Sequence, residues 1–359
     1  MSVKESLRKA LVSDCLSVLK AEEGQKKMIF GRPFHYAGGK WVPDKEGQKE
    51  ESSKERSKSH EVPPPPSSKE ESDELDRQIK ERKEAKKVER QKQYKIGLER
   101  FETAKKNNST DRSIEEIAKD IQDSDDADLK HIGESRLLNS VEYLDESIEK
   151  FPITVRVDFQ NVESILASGE LKNQWETGTS GGSLSRQARN HWEHRIIDDG
   201  NYEKEMNQSD SELEKDEYFN SHPASKPLYG FVSTSPGKFN TSQYGDIQFV
   251  LKEDLKDRST FTPADSSLIS GAFIRGQAKK LFDVKDEFRK DRLKASLKDT
   301  EGTKMGRGYI EAQIHGGIQL KDHIAKIVVP RHDTGWEKEK SQLEKFAKEN
   351  GIEFEWAQI

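Results

Sequence analysis

The sequence predicts an α+β domain at the C-terminus, preceded by helical and disordered charged segments. Three observations predict it. Of 359 residues, 31% are hydrophobic and 36% charged. Ordinary domains are nearly half apolar, so any core must be concentrated in one part of the chain. From Ile153 onwards, the β-rich runs ITVRVDF, YGFVST, IQFVL, YIEAQI and IAKIVV alternate with Gly-rich loops, the texture of an α+β domain. Before Pro152 the chain consists instead of strong helix formers and charges.

Residues 1–45 read as a small docking segment for a partner protein. Leu7, Leu11, Leu16 and Leu19 recur as one stripe of an amphipathic helix. Phe30, Phe34, Tyr36 and Trp41 surround Gly38-Gly39, which predicts a short hairpin turning at the glycine pair. Residues 46–75 hold Lys, Glu and Ser around Pro63-Pro64-Pro65-Pro66. They carry too little apolar surface to offset the entropy of ordering and are expected to be a disordered linker. Residues 76–150 form a charged helical region. DELDRQIKERKEAKKVERQKQYKIGLERFETAK alternates charge at helical neighbour spacing and predicts a solvated helix. IEEIAKDI and SRLLNSVEYLDESIEKF follow, with Leu137, Leu138, Val141 and Leu144 at helical spacing. Pro152 ends the helix and starts an extended segment. Residues 151–359 are the globular domain.

The net charge is −6. It disfavours non-specific attraction to phosphate backbones and anionic lipid, and no run approaches the ~20 apolar residues of a membrane span. With Cys15 the single cysteine, no intramolecular disulfide forms. The N-terminal residues lack the apolar run of a signal peptide. The expectation is a cytoplasmic protein, or one delivered into a target cell without a cleaved signal. No metal centre is expected: His191 and His194 flank Glu193 without the four-residue separation that places two histidines on one helix face. No GxGxxG fingerprint points to hydride transfer.

Three elements carry candidate chemistry. In ITVRVDFQNVESILASGEL, strand alternation puts Arg156 opposite the apolar face of Val155 and Val157. Gly169 is expected as the left-handed cap of the helix that follows. An arginine in a strand is ordinarily a surface residue. In YGFVSTSPGKF, Ser233, Thr234 and Ser235 place three hydroxyls at a strand end, able to orient a ribose or a carboxylate. In GRGYIEAQIHGGIQLKDHIAKIVV, Glu311 sits mid-strand between Ile310 and Ala312. A half-buried carboxylate there is costly unless hydrogen-bonded or functional; the plainer alternative is a cross-strand partner for a lysine.

Taken in order, these elements resemble the ADP-ribosyltransferase superfamily of the Arg/STS/Glu type. Arg156, Asn161, Ile165-Leu166, Gly169 and Leu171 look like its opening strand and helix. Ser233-Thr234-Ser235 resemble its STS strand, and Glu311 with Ile324, Ile327 and Val329 its catalytic strand. The segments between, WETGTSGGS, Arg189-Trp192-Glu193 and KPLYG…YGDIQFVL…RSTFTPADS, resemble an uncharacterised bacterial domain family. The likeness spans roughly residues 150–330. It implies a split two-sheet fold and an enzyme that cleaves NAD, acting as a toxin, effector or phage-borne transferase.

Under that resemblance Glu311 stabilises the cationic ribose formed when the N-glycosidic bond breaks. Arg156 grips the diphosphate with forked donors, and Ser233 assists catalysis. Thr234, Ser235, Phe239, Tyr244, Tyr309 and Gln313 contact NAD, with Phe239 or Tyr244 as an aromatic wall for nicotinamide. Members that modify arginine carry Glu two residues before the catalytic Glu, and others Gln. Tyr309 holds that position here and Gln313 lies two after, which leaves the acceptor open. A protein acceptor fits the modular layout better than a nucleic acid. The alternatives are an NAD glycohydrolase and an inactive structural or binding protein of the same fold.

Overall fold

The computed structural model describes residues 26–29, 32–37, 40–43, 69–123, 134–177, 193, 218, 220–233, 245–263, 271–283, 309–331 and 335–357. The chain divides into two units, Met1–Gln78 and Ile79–Ile359. In the first, β1 (Lys26–Ile29), β2 (Arg32–Ala37) and β3 (Lys40–Pro43) form an antiparallel sheet in that order. Ala37 pairs with Lys40, so the hairpin closes where the glycine pair predicts it.

The long helix α1 runs Lys69–Asn107. Residues 69–75, which the sequence assigns to the disordered linker, are therefore helical, because Lys69, Glu70 and Glu71 are strong helix formers clear of the proline run. Residues 46–68 lie outside the described residues. The expectation of a solvated helix holds for the first half of α1 and fails for the second. Tyr94, Phe101 and Ala104 are buried. With Gly97 and Asn108 they recur at three- and four-residue intervals, one helical face.

Helix α2 (Ile114–Asp123) begins with a reciprocal cap. The Ser113 N–H donates to the Glu116 carboxylate at 2.8 Å, and the Glu116 N–H donates to Ser113 Oγ at 3.2 Å, satisfying two otherwise orphaned donors. Helix α3 (Glu134–Lys150) stops before Pro152.

The sheet follows: β4 (Ile153–Val157), β5 (Glu170–Leu171), β6 (Leu228–Ser233), β7 (Ile247–Leu251), β8 (Ser259–Pro263), β9 (Phe273–Ile274), β10 (Tyr309–Ile314), β11 (Ile318–Gln319), β12 (Ile324–Pro330) and β13 (Glu353–Ala357). Eight of these form one mixed sheet in the order β13-β12-β7-β4-β6-β10-β8-β9, and β11 pairs with β5 separately. Only β12 and β13 run parallel. Interspersed are α4 (Val162–Ser168), α5 (Gln174–Thr177), α6 (Leu320–His323) and α7 (Glu337–Asn350). Gly169 caps α4 at φ 71°, its N–H donating to Ile165 O at 2.8 Å, the left-handed position its sequence context predicts.

Strand alternation sorts the two faces. Ile153, Val155, Ile247, Phe249, Val232, Ile310, Ala312, Phe261, Ile327 and Val329 form one buried cluster with Leu144 and Ile148 of α3, Ile165 of α4 and Leu343 of α7. Helices α2 and α3 thus belong to the same core as the strands, because their apolar stripes complete its layer. The domain does not begin at residue 151, as the change in texture suggests.

The two-sheet expectation is also revised. The ladder is continuous, but its central joint is narrow. Between β4 and β6 only Ile153↔Val232 and Thr154↔Phe231 pair, whereas β4 pairs with β7 from Thr154 to Val157. Past Thr154 the ladder between these two strands ends, so two residue pairs join the two parts of the sheet.

Gly245, which leads into β7, adopts φ 112°, and a Cβ there would lie 2.3 Å from the Val157 carbonyl carbon. Gly245→Ala is expected to lower the unfolding free energy by about 2–3 kcal/mol through combined strain and clash. Urea denaturation midpoints check this, and an unchanged midpoint would contradict the close approach.

Among the described residues no helix is long and apolar enough to cross a membrane.

Candidate functional site

The sheet face opposite the helices is polar where β4, β6, β10 and β8 meet. Thr154, Phe231, Glu311 and Thr262 stand in one row across these four strands. Arg156 lies two residues further along β4 on the same face, paired with Gln248 of β7. Its guanidinium leans back toward the row, 5.3 Å from the Phe231 ring centroid, a cation–π distance. Arg156 and Glu311 therefore share one surface and flank one aromatic ring, at the place where β4 and β6 part. Half-burial holds the Arg156 pKa below its ordinary value, with nearby Asp246 acting in the opposite sense.

Glu311 is half-buried between fully buried Ile310 and Ala312. Its cross-strand neighbours are Phe231 and Thr262, so a lysine partner on an adjacent strand, the plainer alternative, is not what the register provides. Gln313 Nε2 donates to Glu311 Oε1 at 2.9 Å and to Thr262 Oγ1 at 3.3 Å. Thr260 Oγ1 donates to Gln313 Oε1 at 2.9 Å. Gln313 is 0% exposed, so its amide serves Glu311 and the β8 threonines. The expectation that it contacts NAD directly is replaced by this inward role.

Ser233 ends β6 opposite Tyr309, the first residue of β10. Thr234, Ser235, Phe239 and Tyr244 lie outside the described residues, as do residues 178–192.

One end of this face is closed by α1. Arg100 Nη1 donates to Ser225 Oγ at 2.8 Å, and the Phe101 ring lies 5.3 Å from that of His315. Arg90 bridges Glu170 at 2.9 Å and Glu176 at 2.7 Å. Tyr94 OH donates to Glu170 at 2.8 Å.

His315, directly after β10, is 1% exposed, and burial pushes its pKa down from 6.5 to about 3, aided by Arg258 and Arg100. Between those two values the unfolded chain binds the proton that the folded chain refuses. The stabilisation from a neutral His315 is thus complete above pH 6.5 and is lost as pH falls toward 3. Relative to His315→Gln, the native protein should lose up to about 1.4 kcal/mol per pH unit across that window. Denaturation at several pH values reads this difference, and a constant offset between the two proteins would refute it.

Behind Tyr229 sits a cluster the sequence does not announce. Asn173 and Glu176 form a reciprocal cap on α5, the Glu176 N–H donating to Asn173 Oδ1 at 3.1 Å and the Asn173 N–H to Glu176 Oε2 at 3.3 Å. The cap fixes Trp175. Trp175 Nε1 donates to one oxygen of Glu193 at 2.9 Å and Tyr218 OH to the other at 2.8 Å. Tyr229 also favours the charged form of this carboxylate. The ammonium of Lys226 lies 4.3 Å from the Trp175 ring and 4.8 Å from that of Tyr218. Glu193 is 1% and Lys226 4% exposed. Burial pushes the Glu193 carboxyl up, while Lys226, Trp175, Tyr218 and Tyr229 pull it down. Tyr229 lies on β6 past the point where that strand leaves β4, so the cage anchors one edge of the parting. No sequence period reveals Glu193, because its partners are spread from Trp175 to Tyr229.

Fold and face together define an α+β domain with a guanidinium and a carboxylate beside a parted sheet. A family described as a protein of unknown function (DUF3626) matches residues 152–279. The match runs from just before β4 to beyond β9 and covers less than half of the chain. It takes in Arg156 and Glu193 and ends before Glu311. No curated protein matches the chain.

Proposed function

We propose that the unit Ile79–Ile359 is an ADP-ribosyltransferase-like, NAD-cleaving domain, acting as a mono-ADP-ribosyltransferase on a protein acceptor. The observation that carries this reading is the shared face of Arg156 and Glu311, both beside Phe231 where the pairing of β4 with β6 ends. The residues there fit a dinucleotide. Arg156 offers forked donors suited to a diphosphate. Phe231 offers a flat apolar surface.

When bound, NAD supplies a C–N glycosidic bond whose electron pair departs with neutral nicotinamide. Glu311 provides a fixed anion that favours positive charge on the sugar more in the transition state than in the ground state. Burial on both sides and the Gln313 amide spare it reorganisation during the reaction. The acceptor adds through its own lone pair, and its proton passes to Glu311 or to solvent. The net charge of −6 favours a protein over a nucleic acid as acceptor. The separate N-terminal unit suits a module that docks the enzyme, as in a toxin, effector or phage-borne protein.

Purified full-length chain is incubated with NAD labelled in its adenylate half, alongside a cell extract. Nicotinamide release with label on protein is the expected result. Release without labelled macromolecule selects an NAD glycohydrolase. Neither release nor a rise in Tm with NAD overturns the reading and leaves a non-enzymatic protein.

A further inference from the structure

We propose that Gln313 is a positioning residue for Glu311, and that Thr260 holds the Gln313 amide in place from its oxygen end. The assignment rests on the role of Glu311 proposed above. It begins from the direction of each hydrogen bond. Glu311 Oε1 lies 2.9 Å from Gln313 Nε2. An ionised carboxylate only accepts, so the amide nitrogen must face it; turned about, the amide would place its oxygen against another acceptor. On the other side Thr260 Oγ1 lies 2.9 Å from Gln313 Oε1 and supplies the hydrogen. Thr262 Oγ1, at 3.3 Å, takes the second hydrogen of the amide. Every polar atom of the Gln313 side chain is thereby engaged, and one orientation alone satisfies them all.

The arrangement follows from strand geometry. Glu311 and Gln313 are two apart on β10 and so project to the same face. Register sets Thr262 beside the first and Thr260 beside the second. A glutamine needed only to fill space at a fully buried place is a costly choice, since its amide must find partners for all its polar atoms. Here those partners lead from a buried threonine to the half-exposed carboxylate. Donation from a neutral amide also favours the ionised carboxylate without adding a competing charge. Glutamate at 313 would put two like charges in hydrogen-bond contact, and one of the pair would have to hold a proton.

The test is a carboxyl titration on the full chain without NAD, using 13C-labelled glutamate. The Glu311 signal is identified by its loss in Glu311→Gln. In Gln313→Glu the Glu311 titration should move upward by about one pH unit or more, a tenfold change in proton affinity. Gln313→Met, which removes the donor but keeps length and bulk, should move it in the same direction by less. Thr260→Val should shift it the same way. In the NAD-cleavage assay the acid limb of the pH profile should move with the titration, which a purely structural role would not cause. If Gln313→Met and Thr260→Val stay folded by near-ultraviolet circular dichroism and Glu311 titrates as in the native chain, the proposal fails. Should the native chain release no nicotinamide, the enzymatic reading fails by itself, while a shifted titration still establishes the coupling of Gln313 to Glu311.

Discussion

Glu311→Gln is expected to lower nicotinamide release by about a hundredfold or more while leaving the fold intact. The substitution keeps the size of the side chain and an oxygen able to accept from Gln313 Nε2, the 2.9 Å contact seen in the native protein. What it removes is the negative charge, and with it the differential stabilisation of a sugar turning cationic. Losing one preorganised electrostatic group in an active site commonly costs 10²–10³ in rate. Because ground-state contacts are largely preserved, kcat and kcat/KM should fall together. The urea midpoint should change little, since exchanging one partner of a satisfied hydrogen bond costs about 1 kcal/mol. A variant that keeps activity within threefold of the native chain would remove Glu311 from the chemistry.

The second large effect concerns stability. Glu193→Ala should destabilise the domain by about 3–5 kcal/mol at neutral pH. The native carboxylate accepts from Trp175 and Tyr218 and faces the buried ammonium of Lys226. Removing the buried carboxylate takes their acceptor from the Trp175 and Tyr218 donors and a negative charge from the neighbourhood of Lys226, all in low dielectric, which is where losses of this size arise. Glu193→Gln retains an acceptor and should lose less. Combining Glu193→Ala with Lys226→Met removes the stranded cation and should recover part of the loss, so a double-mutant cycle reads the coupling. Midpoints of chemical denaturation decide it. Additive effects of the two substitutions would show that the charges are not energetically paired.

Much of the fold was legible in the sequence, and the reasons are local. Alternation around Arg156 and Glu311 placed both opposite apolar neighbours, because period-two patterning is a direct consequence of the pleat. The Gly169 cap, the helices ending before Pro152 and the β2–β3 hairpin likewise depend on residues a few positions apart. What the sequence concealed is long-range. The buried face of α1 is Tyr94, Gly97, Phe101 and Ala104, continued by Asn108 just past its end and scattered through a run of charges, so composition masked a period that inspection at helical spacing recovers. The continuity of β4 with both neighbours depends on register, which no local pattern specifies. The Glu193 cage depends on contacts between residues as far apart as Trp175 and Tyr229. Gln313 looked like a pocket residue because its closeness to Glu311 was visible, whereas its complete burial was not.

The narrow seam at Ile153 and Thr154 has a consequence for how such a domain diversifies. Backbone hydrogen bonds dictate spacing wherever strands run side by side, but beyond Thr154 they dictate nothing between these two. The spacing there depends on side-chain packing around Arg156 and Phe231. A lineage could therefore reshape the opening by exchanging a few side chains, with every strand kept in place.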